Sequence, residues 1–381
     1  MKEIRVGIVG TKFMGRAHSN AYLDVAHFFD LPARPVLCAA CGRNVSDLEA
    51  FADRFGWQTT ETSWERLVER DDVDLVDICT SNVTHMPIAV AAARAGKHIL
   101  CEKPIAVNAD QARHMLDAAR EAGVRHMVAF NYRRVPAIAL AVQLIEEGKI
   151  GEIRHFNAVY YQDWLVDPSS PIVWRHDAKE AGSGAHGDMN AHTVDLARYL
   201  VGEIEAVSGA QEIFVVERPL ADGSGTGTVT ADDAMYFLAR FSGGALGSFM
   251  ATRFATGRKN YLRLEIFGSK GALAFNLERL NELEFTSRQD PESERGFRTI
   301  MVTESSHPYV SAWWPPGHII GWEHTFIHEV RDLLLAIDKG EAVYPDFYDG
   351  LRCQQVLDAV VQSSRSGRWE DVPPPEVASH R

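Results

Sequence analysis

Through its first 130 residues the sequence alternates short apolar β-type runs with amphipathic, helix-like stretches, and few folds accommodate that rhythm. The runs lie at Ile4–Val9, Pro35–Ala40, Asp74–Cys79, His98–Cys101 and His126–Phe130. Helices are expected at Met14–Phe29, Ser46–Phe55, His85–Ala95 and Ala109–Glu121. Gly56, Gly96 and Gly123 follow three of these, where a left-handed cap favours glycine. Strands this apolar need cover on both faces, which crossover helices provide for a parallel sheet. The fold class expected is α/β, with a Rossmann-type doubly wound parallel sheet in residues 1–130.

After residue 130 the texture changes. A helix is expected at Ala137–Glu147, a long β-type run at Glu152–Trp164 and a helix at Ala185–Val201. Short strands dominate next: Val207–Val216, Asp233–Phe241, Ala245–Thr252, Leu262–Phe267, Ala272–Asn276, Glu282–Thr286 and Arg298–Val302. Turn signals such as Ser242-Gly243-Gly244 punctuate them, which suits antiparallel pairing. The Gly/Ser/Thr-rich stretch Asp222–Thr230 reads as a mobile loop. Helices near Glu323–Lys339 and Asp346–Ser363 follow. Residues 131–381 are therefore expected to form an α+β domain around a large, mostly antiparallel open sheet.

Charge and composition exclude several function classes. Lys and Arg number 39 against 52 Asp and Glu, a net charge of −13, which opposes bulk nucleic-acid binding. No apolar run reaches the ~18 residues of a membrane span. Met1 leads almost at once into a strand, which leaves no room for a signal peptide and points to the cytoplasm. Five cysteines, an odd number, do not suit a disulfide framework. Cys38-x-x-Cys41 lacks a second pair and reads as two small residues in a buried strand. His324-x3-His328 and His186-x-Asp188-x3-His192 have metal-like spacing, but neither comes with a HExxH arrangement or a cysteine pair, and no metal is expected.

The first strand runs into Gly10-Thr11-Lys12-Phe13-Met14-Gly15, one residue away from the dinucleotide fingerprint Gly-x-Gly-x-x-Gly. Gly10 permits the tight turn and Gly15 close helix–strand packing, while the helix start offers free N–H groups to a pyrophosphate. Lys12 takes the middle glycine's place. Either its ammonium adds a phosphate contact, or the loop sits further out and Lys12 points to solvent. The second strand ends Cys41-Gly42-Arg43-Asn44, without the acid that usually bonds the adenosine ribose. Glycine leaves space for a 2′-phosphate and guanidinium suits its geometry, so NADP(H) is favoured, with NAD(H) the alternative.

Alcohol oxidation by hydride transfer needs a base for the hydroxyl proton beside the nicotinamide. Lys103 follows a parallel strand's carboxyl end, where ligands of such sheets collect, and Pro104 fixes the turn. Asp188 and His192 are four residues apart and share one face of the expected helix with Asp195. Val194, Ala197 and Val201 lie on another face. Each residue has a plainer alternative: a solvated turn for Lys103, a helix-start acid for Asp188, a satisfied buried histidine for His192.

Three motifs occur in order: Thr80-Ser81-Asn82-Val83-Thr84-His85, then Cys101-Glu102-Lys103-Pro104, then Gly182-Ser183-Gly184-Ala185-His186-Gly187-Asp188-x3-His192-x2-Asp195. Together they resemble the glucose–fructose oxidoreductase/inositol dehydrogenase (Gfo/Idh/MocA) family over about residues 3–360. Phe130-Asn131-Tyr132-Arg133-Arg134 and Gln162-Asp163-Trp164 are most similar to its glycoside 3-dehydrogenase branch. The departures are Lys12, Ser81 where proline is commoner, and Gly42. The resemblance implies an NAD(P)-dependent dehydrogenase exchanging a hydride with a secondary hydroxyl of a pyranoside or cyclic polyol, with sugar C3 one candidate position. His192 would be the general acid/base, Asp188 its partner or a substrate ligand, and Lys103 the group that bonds the reacting oxygen. Cofactor contacts would include Gly10, Lys12, Phe13, Met14, Gly42, Arg43, Asn44, Ser81, Asn82, His85, Glu102, Lys103, Asn131, Trp174 and Arg175. The sugar pocket would draw on Tyr132, Arg133, Gln162, Asp163, Trp164 and His324. A homodimer or homotetramer is implied by resemblance alone. Competing expectations are redox-assisted glycoside cleavage, a non-catalytic cofactor-binding sensor and a metal hydrolase.

Overall fold

Strands β1 (Lys2–Val9), β2 (Ala33–Cys41), β3 (Thr59–Glu61), β4 (Leu75–Ile78), β5 (His98–Cys101) and β6 (His126–Val128) form one sheet in this computed structural model, which describes residues 2–376. Every pair is parallel and the order is β3-β2-β1-β4-β5-β6. The order in which strands are added reverses beside β1, so a crevice opens at the carboxyl ends of β1 and β4. Consecutive residues Leu75 and Val76, and Ile99 and Leu100, are all fully buried, as a sheet covered on both faces requires. Helices α1 (Phe13–Phe28), α2 (Val45–Phe55), α3 (Trp64–Val68), α4 (His85–Arg94) and α5 (Ala109–Ala122) connect the strands. Asn44 and Asn108 cap α2 and α5 through their side chains, and Gly56 and Gly123 end them in the left-handed region. The sequence reading missed β3 and α3. Thr59-Thr60-Glu61 is short, polar and on the sheet edge, so it carries no apolar run to detect.

The second unit holds α6 (Pro136–Glu146), β7 (Ile153–Tyr161), α7 (Ala178–Ala181), α8 (Ala191–Leu200), β8 (Ile204–Glu212), β9 (Glu217–Pro219), β10 (Thr226–Thr228), β11 (Ala234–Phe241), β12 (Leu246–Thr252), β13 (Tyr261–Gly268), β14 (Gly271–Asn276), β15 (Glu282–Ser287) and β16 (Arg298–Met301). Its nine-stranded sheet runs β16-β15-β14-β13-β7-β12-β11-β8, with a last short strand, Glu370–Asp371, beyond β8. All neighbours are antiparallel except β7 and β12. Along β11, Phe237, Ala239 and Phe241 are buried while Tyr236 and Leu238 are exposed, so one face is core and the other open. The stretch expected to be a loop at Asp222–Thr230 contains β10, which pairs with β9 as a hairpin. The helix expected at Ala185–Val201 is two structures: a π turn at His186–Asn190, then α8.

The domain boundary differs from the expected 1–130 and 131–381. The first unit runs to Arg134 and also takes in Gly321–Leu351. That segment carries α9 (His324–Lys339), whose Phe326, Val330, Leu333 and Leu334 are buried. It lies against α1: Phe13 stacks on Trp322 at 5.3 Å, and the His18 and Phe326 rings are 5.3 Å apart. A local pattern shows that α9 is amphipathic but not which sheet it covers. The last helix, α10 (Phe347–Ser366), follows.

Candidate active site

In the first unit, β1 and α1 are joined by the glycine loop. Gly10 has φ of 111°, which suits glycine. A Cβ on Gly15 would lie 2.0 Å from the Gly10 carbonyl oxygen, and one on Gly10 2.5 Å from that of Cys79. Neither position admits a side chain, so the loop closes onto the sheet. α1 has no side-chain cap and no acid in its first turn, leaving its N–H groups and positive end to an anion. This cradle fits a dinucleotide pyrophosphate. Lys12 is 83% exposed and its ammonium donates to Asp47 at 2.7 Å, so it is engaged by α2. Phe13 is exposed and Met14 half-buried.

Beside the cradle, Arg43 and Asn44 are exposed, with the Asn44 side chain spent on capping α2. A Cβ on Gly42 would meet Thr11 Cγ2 at 3.2 Å, so this glycine also lets β2 approach the phosphate loop. Ser81 and Asn82 start a single 3₁₀ turn after β4. His85 is fully buried, with ring nitrogens 3.0 Å from the Pro104 carbonyl and 3.2 Å from that of Thr80. Burial lowers its pKa below the ordinary histidine value. Lys103 follows β5, and its backbone N–H donates to Glu102 Oε2 at 3.1 Å. Asn131 donates to Thr325 Oγ1 at 2.8 Å, Tyr132 is buried, and Arg133 is buried against Asp349 at 3.2 Å. His324 accepts the Gly321 N–H at 3.1 Å and sits 3.3 Å from Glu323. His328, the other half of the metal-like pair, lies 2.9 Å from the Arg134 carbonyl.

In the second unit, the π turn carries Asp188. Its start is docked on Asp232, whose carboxylate accepts the N–H groups of Gly184 at 2.6 Å and His186 at 2.8 Å. A Cβ on Gly184 would come within 1.9 Å of the Asp232 carbonyl, which explains that glycine. The Asp188 carboxylate accepts from Arg253 Nη2 at 2.8 Å. Arg253 is almost wholly buried, and its guanidinium also reaches the Gly184 carbonyl and lies 5.3 Å from the Trp164 ring. His192 is buried one turn further on, its ring 6.1 Å from that of Tyr160, and Asp195 is buried in the same helix. His186 is tied to the core, its ring 3.0 Å from the Leu357 carbonyl.

A connected polar wall lies at the end of β7. Trp164 donates to Gln162 at 2.8 Å, Gln162 to Asn260 at 2.9 Å, and the Tyr160 hydroxyl to the same Asn260 oxygen at 2.8 Å. Asp163 accepts from Lys259 at 2.7 Å and from the Gly257 N–H, and the Lys259 contact holds its carboxyl below the usual range. Arg175 stacks over the Trp174 ring at 4.4 Å. The sequence reading missed Asp232, Asn260 and Arg253. Each is far in sequence from its partner and belongs to no motif. An arginine directly after a strand, as Arg253 follows β12, is the faint signal available.

Two family models match. One, described as an oxidoreductase family with an NAD-binding Rossmann fold, covers residues 4–130, and a GFO/IDH/MocA C-terminal domain covers residues 138–274. Levoglucosan dehydrogenase from Pseudarthrobacter phenanthrenivorans is 44% identical over 98% of this chain and 99% of its own. Among solved structures, an oxidoreductase domain protein from Kribbella flavida matches with a TM-score of 0.95 at 52% identity, over 98% of this chain and all of that one. A levoglucosan dehydrogenase complex with NADH and levoglucosan matches with a TM-score of 0.95 at 44% identity, with the same coverage.

Proposed function

This chain belongs to the GFO/IDH/MocA family of nicotinamide-dependent oxidoreductases, and we propose that it oxidises a ring secondary alcohol of a pyranoside or cyclic polyol. The observation that carries the reading is the pairing of a closed phosphate cradle with Lys103 along the carboxyl edge of one parallel sheet. Bound nicotinamide would supply the hydride acceptor. The chain's own residues supply the rest. Lys103 bonds the substrate oxygen and favours its loss of a proton. His192 takes that proton, the imidazole being suited to reversible transfer near neutral pH. Asp188, fixed by Arg253, holds the histidine or a neighbouring hydroxyl. Trp164 offers an aromatic face to sugar C–H groups, with Gln162 beside it.

Levoglucosan is the first substrate to test, because a relative of that name matches along nearly the whole chain, and C3 is the first position to examine. Gly42 and Arg43 support a preference for NADP(H); NAD(H) is accepted in the same reading, since a relative's structure contains NADH. Exposed Tyr236, Leu238, Leu246 and Met250 on the open sheet face support self-association as a homodimer or homotetramer. Five free cysteines suit a reducing compartment, the cytoplasm, and no helix among the described residues is long and apolar enough to cross a membrane.

An absorbance screen of pyranosides and inositols with both nucleotides tests the activity. Lys103→Met and His192→Ala should each lower turnover about 100-fold or more while nucleotide binding survives. Near-wild-type turnover in either variant removes that residue's role.

A further inference from the structure

Behind the phosphate cradle, the first unit buries a polar cluster that the proposed chemistry does not use. His18 of α1 is 1% exposed, Asp77 of β4 is 0% exposed and Glu102, just after β5, is 4% exposed. His18 Nδ1 lies 3.0 and 2.9 Å from the two Asp77 oxygens, and Nε2 lies 3.0 Å from Glu102 Oε1. The other Glu102 oxygen accepts the Lys103 N–H at 3.1 Å. A neutral imidazole has one N–H and would aim a lone pair at one of the two carboxylates; an imidazolium donates to both. Both flanking carboxylates accept an N–H only when both ring nitrogens carry one.

We infer that His18 is a positioning residue for Lys103: an imidazolium strapped between Asp77 and Glu102, it fixes the carboxylate that holds the Lys103 backbone. The inference rests on the reading of Lys103 as the residue that bonds the reacting oxygen. The surroundings agree with it. Tyr22 donates to Asp77 at 3.0 Å from α1, and Cys79 donates to it at 3.3 Å from the end of β4. From α9 come Phe326 and Glu329, and burial pushes Glu329 up to about 8, so it adds little negative charge beyond that of the two carboxyls already on the ring at neutral pH. Burial alone would lower the His18 pKa, but the Asp77 carboxylate more than offsets it and holds the ring well above the ordinary value. The far side of the same turn is held as well, since His85 lies within hydrogen-bond distance of the Pro104 carbonyl. His18 Nδ1, an Asp77 oxygen and Cys79 Sγ also lie within 4.8 Å of one another, a spacing that a metal ion would accept; the hydrogen bonds of Nδ1 and Sγ to Asp77 account for it without one.

The test is a double-mutant cycle on the full-length enzyme, assayed with nucleotide and the sugar or inositol that the screen returns. His18→Gln should lower kcat at least tenfold and leave nucleotide Kd within twofold. In a Lys103→Met background the same change should lower residual turnover less than twofold. Equal losses in both backgrounds would show a merely structural role and overturn the inference. If Lys103→Met itself turns over like wild type, the reading of Lys103 fails first, and the single variant reveals that separately. Should His18→Gln not fold, Glu102→Gln replaces it in the cycle, since its amide oxygen can still accept the Lys103 N–H but carries no charge. The wild-type protein gives a readout that no folding defect can mimic. At pH 8 a ¹⁵N–¹H spectrum of its fifteen histidines should show the His18 ring protonated at both nitrogens. No doubly protonated ring there, whether the His18 ring is a neutral tautomer or metal-bound, rejects the proposal.

Discussion

Arg43 is a sharper test of cofactor choice than Lys12. Lys12 is in an exposed ion pair with Asp47, a contact worth about 0–1 kcal/mol that a phosphate can displace. Arg43 stands exposed after Gly42, where a 2′-phosphate reader belongs. Arg43→Asp should therefore move the NADP:NAD ratio of kcat/KM toward NAD by about tenfold, equivalent to ~1.4 kcal/mol. An unchanged ratio in steady-state assays would show that Arg43 reads nothing. At this scale the sequence offers candidates where residues stand in a motif: Lys103 next to Pro104, and Asp188 four residues before His192. It was silent where a residue works through a distant partner. Arg253 lies 65 positions from Asp188, Asp232 lies 48 from Gly184, and His18 lies 84 from Glu102. Charge pairing of that kind leaves no trace in local spacing.

Among the elements, the π turn at His186–Asn190 is the one that periodicity misjudged. Helical spacing put Asp188 and His192 on one face of a single helix, whereas Asp188 lies in the π turn, whose start is braced by Asp232 and whose carboxylate is clamped by Arg253, and His192 lies in α8. π turns often mark functional sites because the extra residue redirects a side chain. The clamp makes a prediction. Arg253→Met removes a buried guanidinium while filling much of its space, leaving Asp188, 28% exposed, without that partner. Breaking a buried pair costs about 3–5 kcal/mol, and the exposure of Asp188 places this case toward the lower end. Urea unfolding should show that loss, and kcat should fall at least tenfold as Asp188 swings from its place. A variant with wild-type kcat would mean that the carboxylate needs no clamp. The Rossmann strands were the most legible elements, since buried parallel strands are nearly all apolar. The short polar edge strand β3 and the hairpin of β9 and β10 were not, for the same reason in reverse.

For the molecule as a whole, buried titratable groups set opposing limits on pH stability. Burial lowers His126 and His176 to about 4 and His328 to about 3, so each folds neutral. Their folded pKa values lie below the unfolded value of about 6.5. Their contribution is therefore complete above that value and is lost as pH falls toward 4. Glu329 acts the other way. Its folded pKa of about 8 exceeds the ordinary 4.5, so the folded state holds a proton that the unfolded state releases. Stability from this group declines as pH rises from about 4.5 to 8. Its Oε1 finds no hydrogen-bond partner among the described residues, which fits a carboxyl that gains little from ionising there. Glu329→Gln should raise the thermal midpoint at pH 8 and change it little at pH 5. Equal shifts at the two values, read by calorimetry, would place the Glu329 proton elsewhere. The two-domain architecture was visible in the change of texture near residue 130, but the return of Gly321–Leu351 to the first unit was not, because an amphipathic helix does not announce which surface it will cover. That return matters before the enzyme ever meets a substrate. A growing chain emerges from the ribosome with the α1 face that receives Trp322 and Phe326, and Phe29 just beyond it that receives His328, still bare, and they stay bare until nearly the whole polypeptide has been made. The nucleotide-binding half is begun first and completed among the last, so a fragment cut at residue 130 would expose a greasy helix rather than a miniature of the native unit.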